Sequence, residues 1–189
     1  SAVPLITTAD FEGGAGYILN GATRLPRAMA IGATRDPQLA FRAGEVSARE
    51  AKAIGVSVDF YPVVDVNNNP RNPIINIRSF GEEPALVSEM ARAYVRGIQS
   101  QGVLATAKHF PGRGDSRKMP GHPGFAWLDR PAADIEAREF ASFRHAIEGG
   151  VAFVMTEHIA VPSVTGGSDL PASVEPRLVT GWIRERLGF

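Results

Sequence analysis

The chain has 189 residues, 44% of them hydrophobic, and its 20 basic and 20 acidic side chains cancel to a formal net charge of zero. That composition supports a buried core, and the charge balance argues against nucleic acid as a partner, since phosphate binding needs a basic face. Cysteine is absent, which excludes disulfides, thiol nucleophiles and thiolate-bound metals; no apolar run approaches the roughly 20 residues of a membrane span, and no signal peptide is visible.

In chain order, Val3 to Ala9 reads as a strand ending at Asp10. A helix is predicted over Pro37 to Ile54, with Asp36 as its N-cap and Pro37 as its first residue. Its apolar stripe is Leu39, Ala43, Val46, Ala53 and Ile54, interrupted by Glu50. Val56 to Val64 is the second strand, ending at Asp65, and Pro84 to Ile98 the second helix, with Leu86, Met90, Tyr94 and Ile98 on one face. Val103 to Ala107 is the third strand. A helix over Asp134 to Ile147, a strand over Val151 to Thr156 and a helix over Pro176 to Leu187 complete the pattern. The last helix carries Leu178, Val179, Trp182 and Ile183 inward.

The order βαβαβαβα implies an α/β fold with a parallel sheet and right-handed crossovers. Each strand ends in ionisable residues: Asp10 and Glu12, Asp65, Lys108 and His109, Glu157 and His158. That placement is the mark of a (β/α) TIM-type barrel, whose active site lies at the C-terminal ends of its strands. No G-x-G-x-x-G follows the first strand, so a dinucleotide fold is disfavoured. A complete barrel needs eight strands and about 250 residues. The four units visible here are therefore expected to be an internal portion, residues 1–189, of a larger barrel domain, completed by the rest of the barrel or by a partner chain. The most informative stretch is Lys108-His109-Phe110-Pro111-Gly112-Arg113-Gly114-Asp115. There a cation and an imidazole close a buried strand, and proline and glycine then force an irregular loop.

Six strings occur in the order found in one enzyme family: Asp10-Phe11-Glu12-Gly13-Gly14, Thr23-Arg24-Leu25-Pro26, Phe60-Tyr61-Pro62-Val63-Val64-Asp65-Val66, Arg78-Ser79-Phe80-Gly81, Ala107-Lys108-His109-Phe110-Pro111-Gly112 and Met155-Thr156-Glu157-His158. On these the chain resembles the N-terminal barrel domain of glycoside hydrolase family 3, in particular its bacterial β-N-acetylhexosaminidase branch. The resemblance implies a retaining glycosidase acting on a carbohydrate with a β-linked terminal sugar, N-acetylglucosamine first among candidates. Such an enzyme uses a carboxylate nucleophile and an acid/base group.

By the same resemblance Asp10, Arg78, Lys108, His109 and His158 bind the sugar. His122 is the candidate acid/base, and the nucleophilic Asp belongs to a strand after Leu187-Gly188-Phe189, so the 189 residues alone are expected to be inactive. Three departures stand out. Pro120 replaces the Asp two positions before the acid/base His, Arg113 replaces the His that follows Pro-Gly, and no Arg lies between Ala15 and Asn20. Asp115 is expected to replace the missing Asp only if its loop folds back. Alternatives are a β-glucosidase-like or phosphorolytic enzyme, or a carbohydrate-binding barrel without catalysis. No metal or cofactor is implied, because the four His form no ligand pair at helical spacing. Compartment stays open between cytoplasm and periplasm or secretion.

Overall fold

The structure is a computed structural model that describes residues 3, 5–118 and 126–189. Its strands in chain order are β1 (Thr8–Ala9), β2 (Val58–Asp59), β3 (Leu104–Phe110), β4 (Arg117–Lys118), β5 (Ala126–Trp127), β6 (Phe153–Thr156) and β7 (Ile159–Ala160). The four expected strands form one sheet in the order β1-β2-β3-β6, every neighbouring pair parallel. The architecture is thus α/β with barrel-type βα units.

Three of the four strands are shorter than the apolar runs that announced them, while β3 runs past Ala107 to Phe110. Pairing of the first begins at Thr7, whose carbonyl accepts the amides of Ser57 and Val58 at 3.0 and 3.1 Å; Val3, Leu5 and Ile6 before it are exposed. In the second, Pro62 has no N–H to give the ladder. Regular pairing therefore stops at Asp59 and resumes at a single bridge between Val63 and Lys108. Register also shifts in β3 between Ala107 and Phe110, where the Lys108–His109 and Phe110–Pro111 peptides are cis.

The helices are α1 (Ala28–Ala33), α2 (Pro37–Ala53), α3 (Pro84–Ser100), α4 (Ala132–Ile135), α5 (Ala141–Glu148) and α6 (Pro162–Thr165). A π-helical turn, Glu136–Phe140, joins α4 to α5, so the third predicted helix is continuous and longer at both ends. The fourth, Arg177–Arg186, is π-helical and buries Leu178, Trp182 and Ile183.

Helix α2 is capped as expected, Asp36 accepting the amide of Gln38 at 2.9 Å, but it turns a different face inward. Its buried residues are Ala40, Ala43, Gly44, Ser47, Ala48 and Ala51; of the predicted stripe, Leu39 and Ile54 are exposed. Close helix packing is the reason. A Cβ on Gly44 would lie 2.5 Å from the Tyr94 carbonyl of α3, and one on Gly97 would lie 2.1 Å from the Phe41 carbonyl. The two backbones touch, so small residues rather than large apolar ones face the contact. Glu50, which broke the predicted stripe, accepts the backbone and hydroxyl of Thr23 at 3.1 and 2.6 Å and so anchors the loop after β1.

On the other side of the sheet, Ile6, Thr8, Val58, Phe60, Thr106 and Phe153 line a cavity of about 320 Å³. This is the face that a closed barrel would enclose. Phe110 leaves β3 stacked on Phe140 and edge-on to Phe143, each with ring centroids 5.2 Å apart, and Trp182 packs edge-on against Phe140 at 4.5 Å. This aromatic cluster fixes the strand end that carries Lys108 and His109. A second, small sheet was not foreseen: β4 and β5 pair antiparallel and β5 pairs parallel with β7. It ties the loop after β3 to the loop after β6. No helix among the described residues is long and apolar enough to cross a membrane.

Candidate active site

The C-terminal ends of β1, β2 and β3 deliver their charged residues to one place. The Lys108 ammonium, with its side chain 1% exposed, lies 2.7 and 2.8 Å from the two oxygens of Asp10 and 2.8 Å from Oε1 of Glu12. Arg78 donates from Nε and Nη2 to Glu12 at 2.8 and 2.7 Å, a two-pronged guanidinium–carboxylate pair. It does not take Glu83, which pairs instead with Arg35. Its Nη1 is held by the Ile74 carbonyl at 3.1 Å, and its Nη2 stands 3.3 Å from Nε2 of His109. The opposite ring nitrogen of His109 lies 2.7 Å from Asp65. Four of the expected residues, Asp10, Arg78, Lys108 and His109, therefore share one hydrogen-bonded network.

Glu12 and Asp65 complete it. Burial pushes the Glu12 carboxyl up, but the hydrogen bonds and charges of Arg78 and Lys108 outweigh that and hold it at about 2. Asp65 is buried; its Oδ1 accepts the amide of Arg113 at 2.7 Å, and its carbonyl accepts the Ser79 hydroxyl at 2.6 Å. Both signals were in the sequence as carboxylates closing a strand. Nothing there showed that each bridges two segments distant along the chain. Beneath them, Asp59 is fully buried, with Oδ1 accepting the Phe11 amide at 3.1 Å and Oδ2 without a hydrogen-bond partner among the described residues. Burial raises its carboxyl to about 7.

The loop after β3 is clamped. A Cβ on Gly114 would sit 1.6 Å from the Val66 carbonyl, so only glycine fits there. Asn72 donates to the carbonyls of Arg113 and Gly114 at 2.6 and 3.0 Å. Arg113 pairs with Glu157, and Asp115 bonds Asn69 at 2.9 Å and Arg130. Among the described residues, Asn69 engages Oδ1 of Asp115 and Arg130 engages Oδ2. His122 lies outside the described residues. His158 is exposed and bonds Ser173 Oγ through Nδ1 at 2.8 Å. No hydrogen bond joins it to Asp10, Arg78, Lys108 or His109 among the described residues.

The whole chain, residues 1–189, matches the glycosyl hydrolase family 3 N-terminal domain. The chain belongs to glycosyl hydrolase family 3. It is 39% identical over 198 residues to a β-N-acetylglucosaminidase/β-glucosidase of Cellulomonas fimi, covering 100% of this chain and 35% of that protein. Among solved structures it superposes on a family 3 β-N-acetylglucosaminidase of Paenibacillus sp. FPU-7 with a TM-score of 0.92 at 39% identity, covering 99% of this chain and 35% of that one. It also superposes on the β-glucoside phosphorylase BglX bound to 2FGlc with a TM-score of 0.91 at 32% identity, covering 100% of this chain and 36% of that one. The chain thus spans about a third of the length of these relatives.

In this family 3 chain the network offers one polar wall. Asp10 is half exposed, an acceptor for adjacent hydroxyls; Arg78 and Lys108 are donors; His109 presents a ring nitrogen. Glu12 is taken by Arg78 and Lys108, Asp65 by His109 and Arg113, and Asp10 by Lys108. The carboxylates of this wall are committed to cations and N–H groups.

Proposed function

We propose that this chain is part of the barrel domain of a longer family 3 enzyme that cleaves a β-linked terminal sugar, N-acetylglucosamine in the first instance, with retention. The observation that carries the reading is the joining of Asp10, Arg78, Lys108 and His109 into one network at the strand ends, in a chain similar along its whole length to a β-N-acetylglucosaminidase. In this reading Asp10, Arg78, Lys108 and His109 grip the sugar hydroxyls, with His158 at the rim, and His122 is the acid/base candidate. A retaining mechanism places its two catalytic groups about 5–5.5 Å apart. The resemblance to the family assigns the nucleophile to a part of the enzyme other than this wall.

The test is steady-state kinetics of the full-length protein on aryl β-N-acetylglucosaminide and aryl β-glucoside, with Asp10→Ala and Arg78→Ala beside it. Turnover that falls at least a hundredfold in both variants is expected; unchanged turnover would overturn the assignment. A second reading, phosphorolysis, draws on the likeness to a β-glucoside phosphorylase. It predicts release of sugar 1-phosphate when inorganic phosphate is added to the same assay.

A further inference from the structure

We propose that Asp65 is a positioning residue that fixes His109 in the tautomer protonated at Nδ1, so that Nε2 faces the pocket as a hydrogen-bond acceptor. The use of that acceptor for a sugar hydroxyl rests on the function proposed above; the tautomer itself does not. Two independent contacts assign it. Asp65 Oδ2 is 2.7 Å from His109 Nδ1, and an ionised carboxylate only accepts, so the proton lies on Nδ1. On the far side of the ring, Nε2 stands 3.3 Å from the Arg78 guanidinium, which only donates. A proton on Nε2 would face that cation; a lone pair there receives it. A ring nitrogen is commonly defined in this way by what its opposite nitrogen bonds.

The position of Asp65 explains why the device holds. Its side chain is fully buried at the end of the segment that follows β2, so no water competes for its oxygens. Oδ2 also meets the His109 amide at 3.3 Å, Oδ1 takes the Arg113 amide at 2.7 Å, and the backbone carbonyl takes Ser79. One residue thereby sets the ring of His109, the start of the loop after β3 and the segment carrying Arg78. The sugar wall then reads as Arg78 and Lys108 donating and Asp10 and His109 accepting. A hydroxyl that donates to Nε2 would displace the Arg78 contact there.

The test is made on the full-length protein labelled with ¹⁵N-histidine. In the wild type, the long-range ¹H–¹⁵N pattern of His109, identified by its loss in His109→Ala, should show a protonated Nδ1 and a bare Nε2. A protonated Nε2 would overturn the proposal without any variant having to fold. An Nδ1-protonated ring that ignores added N-acetylglucosamine upholds the tautomer and counts against the sugar-binding reading instead. In Asp65→Asn the amide cannot accept from both His109 Nδ1 and the Arg113 amide, so the ring is expected to shift towards the other tautomer. Kinetically, Asp65→Asn should lower kcat/KM by at least tenfold in the wild-type background and by less than threefold in the His109→Ala background. Equal losses in both backgrounds would show that Asp65 acts through the fold and not through His109.

Discussion

At the scale of single residues, the site is a charge cluster in which each group is held by its neighbours, and removal should expose the balance. Lys108 is the buried cation between Asp10 and Glu12. Lys108→Met leaves Glu12 with Arg78 alone and should cost about 3–5 kcal/mol of stability, as loss of one partner from a buried pair does. Adding Glu12→Gln should recover part of that loss in a denaturant titration, whereas additive losses would mean that the two side chains are not coupled. Asp59 gives the opposite sign. Its carboxyl, raised to about 7 in the folded chain against an ordinary value of 3.8, stays protonated while the unfolded chain ionises. Its contribution to stability is therefore lost as pH rises from about 4 to about 7 and is flat above. Asp59→Asn, which keeps an acceptor for the Phe11 amide, should leave the thermal midpoint unchanged near pH 3.5 and raise it at pH 8. A gain of the same size at both pH values would contradict the assigned cause. Glu12, held at about 2, loses its stabilisation only as pH falls from about 4.5 towards 2.

At the scale of elements, the contact between α2 and α3 shows where pattern reading stops. The strand–helix order, the Asp36 cap and the parallel sheet were legible, because periodicity, capping chemistry and crossover handedness are local or nearly so. The inward face of α2 was legible only in part: Ala43 of the expected stripe is buried, but Leu39 and Ile54 are exposed and the packing follows Gly44, Ala48 and Ala51. What decides that face is how closely another backbone approaches, and the partner's position is absent from a single helix's pattern. The π-helical turn at Glu136–Phe140 and the small β4-β5-β7 sheet escaped for the same reason. Gly97→Ala, whose Cβ would meet the Phe41 carbonyl at 2.1 Å, should destabilise by about 1–3 kcal/mol through overpacking. Gly181→Ala, whose Cβ would meet nothing within 4 Å, should be neutral or stabilising by up to about 1 kcal/mol. Thermal unfolding of the two variants checks the contrast, and equal effects would deny the close approach.

At the scale of the whole molecule, the sheet brings residues far apart in sequence to one polar wall, and the site was legible in proportion to how far it follows from strand ends. Asp10, Lys108 and His109 close strands, and they meet. Arg78 arrives from a loop, and its partner Glu12 is known only once β1 and β3 are placed side by side. His158 also follows a strand, yet its ring turns to Ser173 because the loop after β6 leads away into β7. Because the family resemblance assigns the nucleophile to another part of the enzyme, the 189 residues alone are expected to show no turnover of aryl β-N-acetylglucosaminide above the uncatalysed rate; turnover by them would place the nucleophile here. In the proposed function the network of Asp10, Arg78, Lys108 and His109 holds the terminal sugar. A crystal structure of the full-length protein with N-acetylglucosamine is the decisive measurement: sugar hydroxyls are expected within hydrogen-bond distance of Asp10, Lys108, Arg78 and His109 Nε2, and a sugar bound elsewhere with this network unchanged would contradict that role.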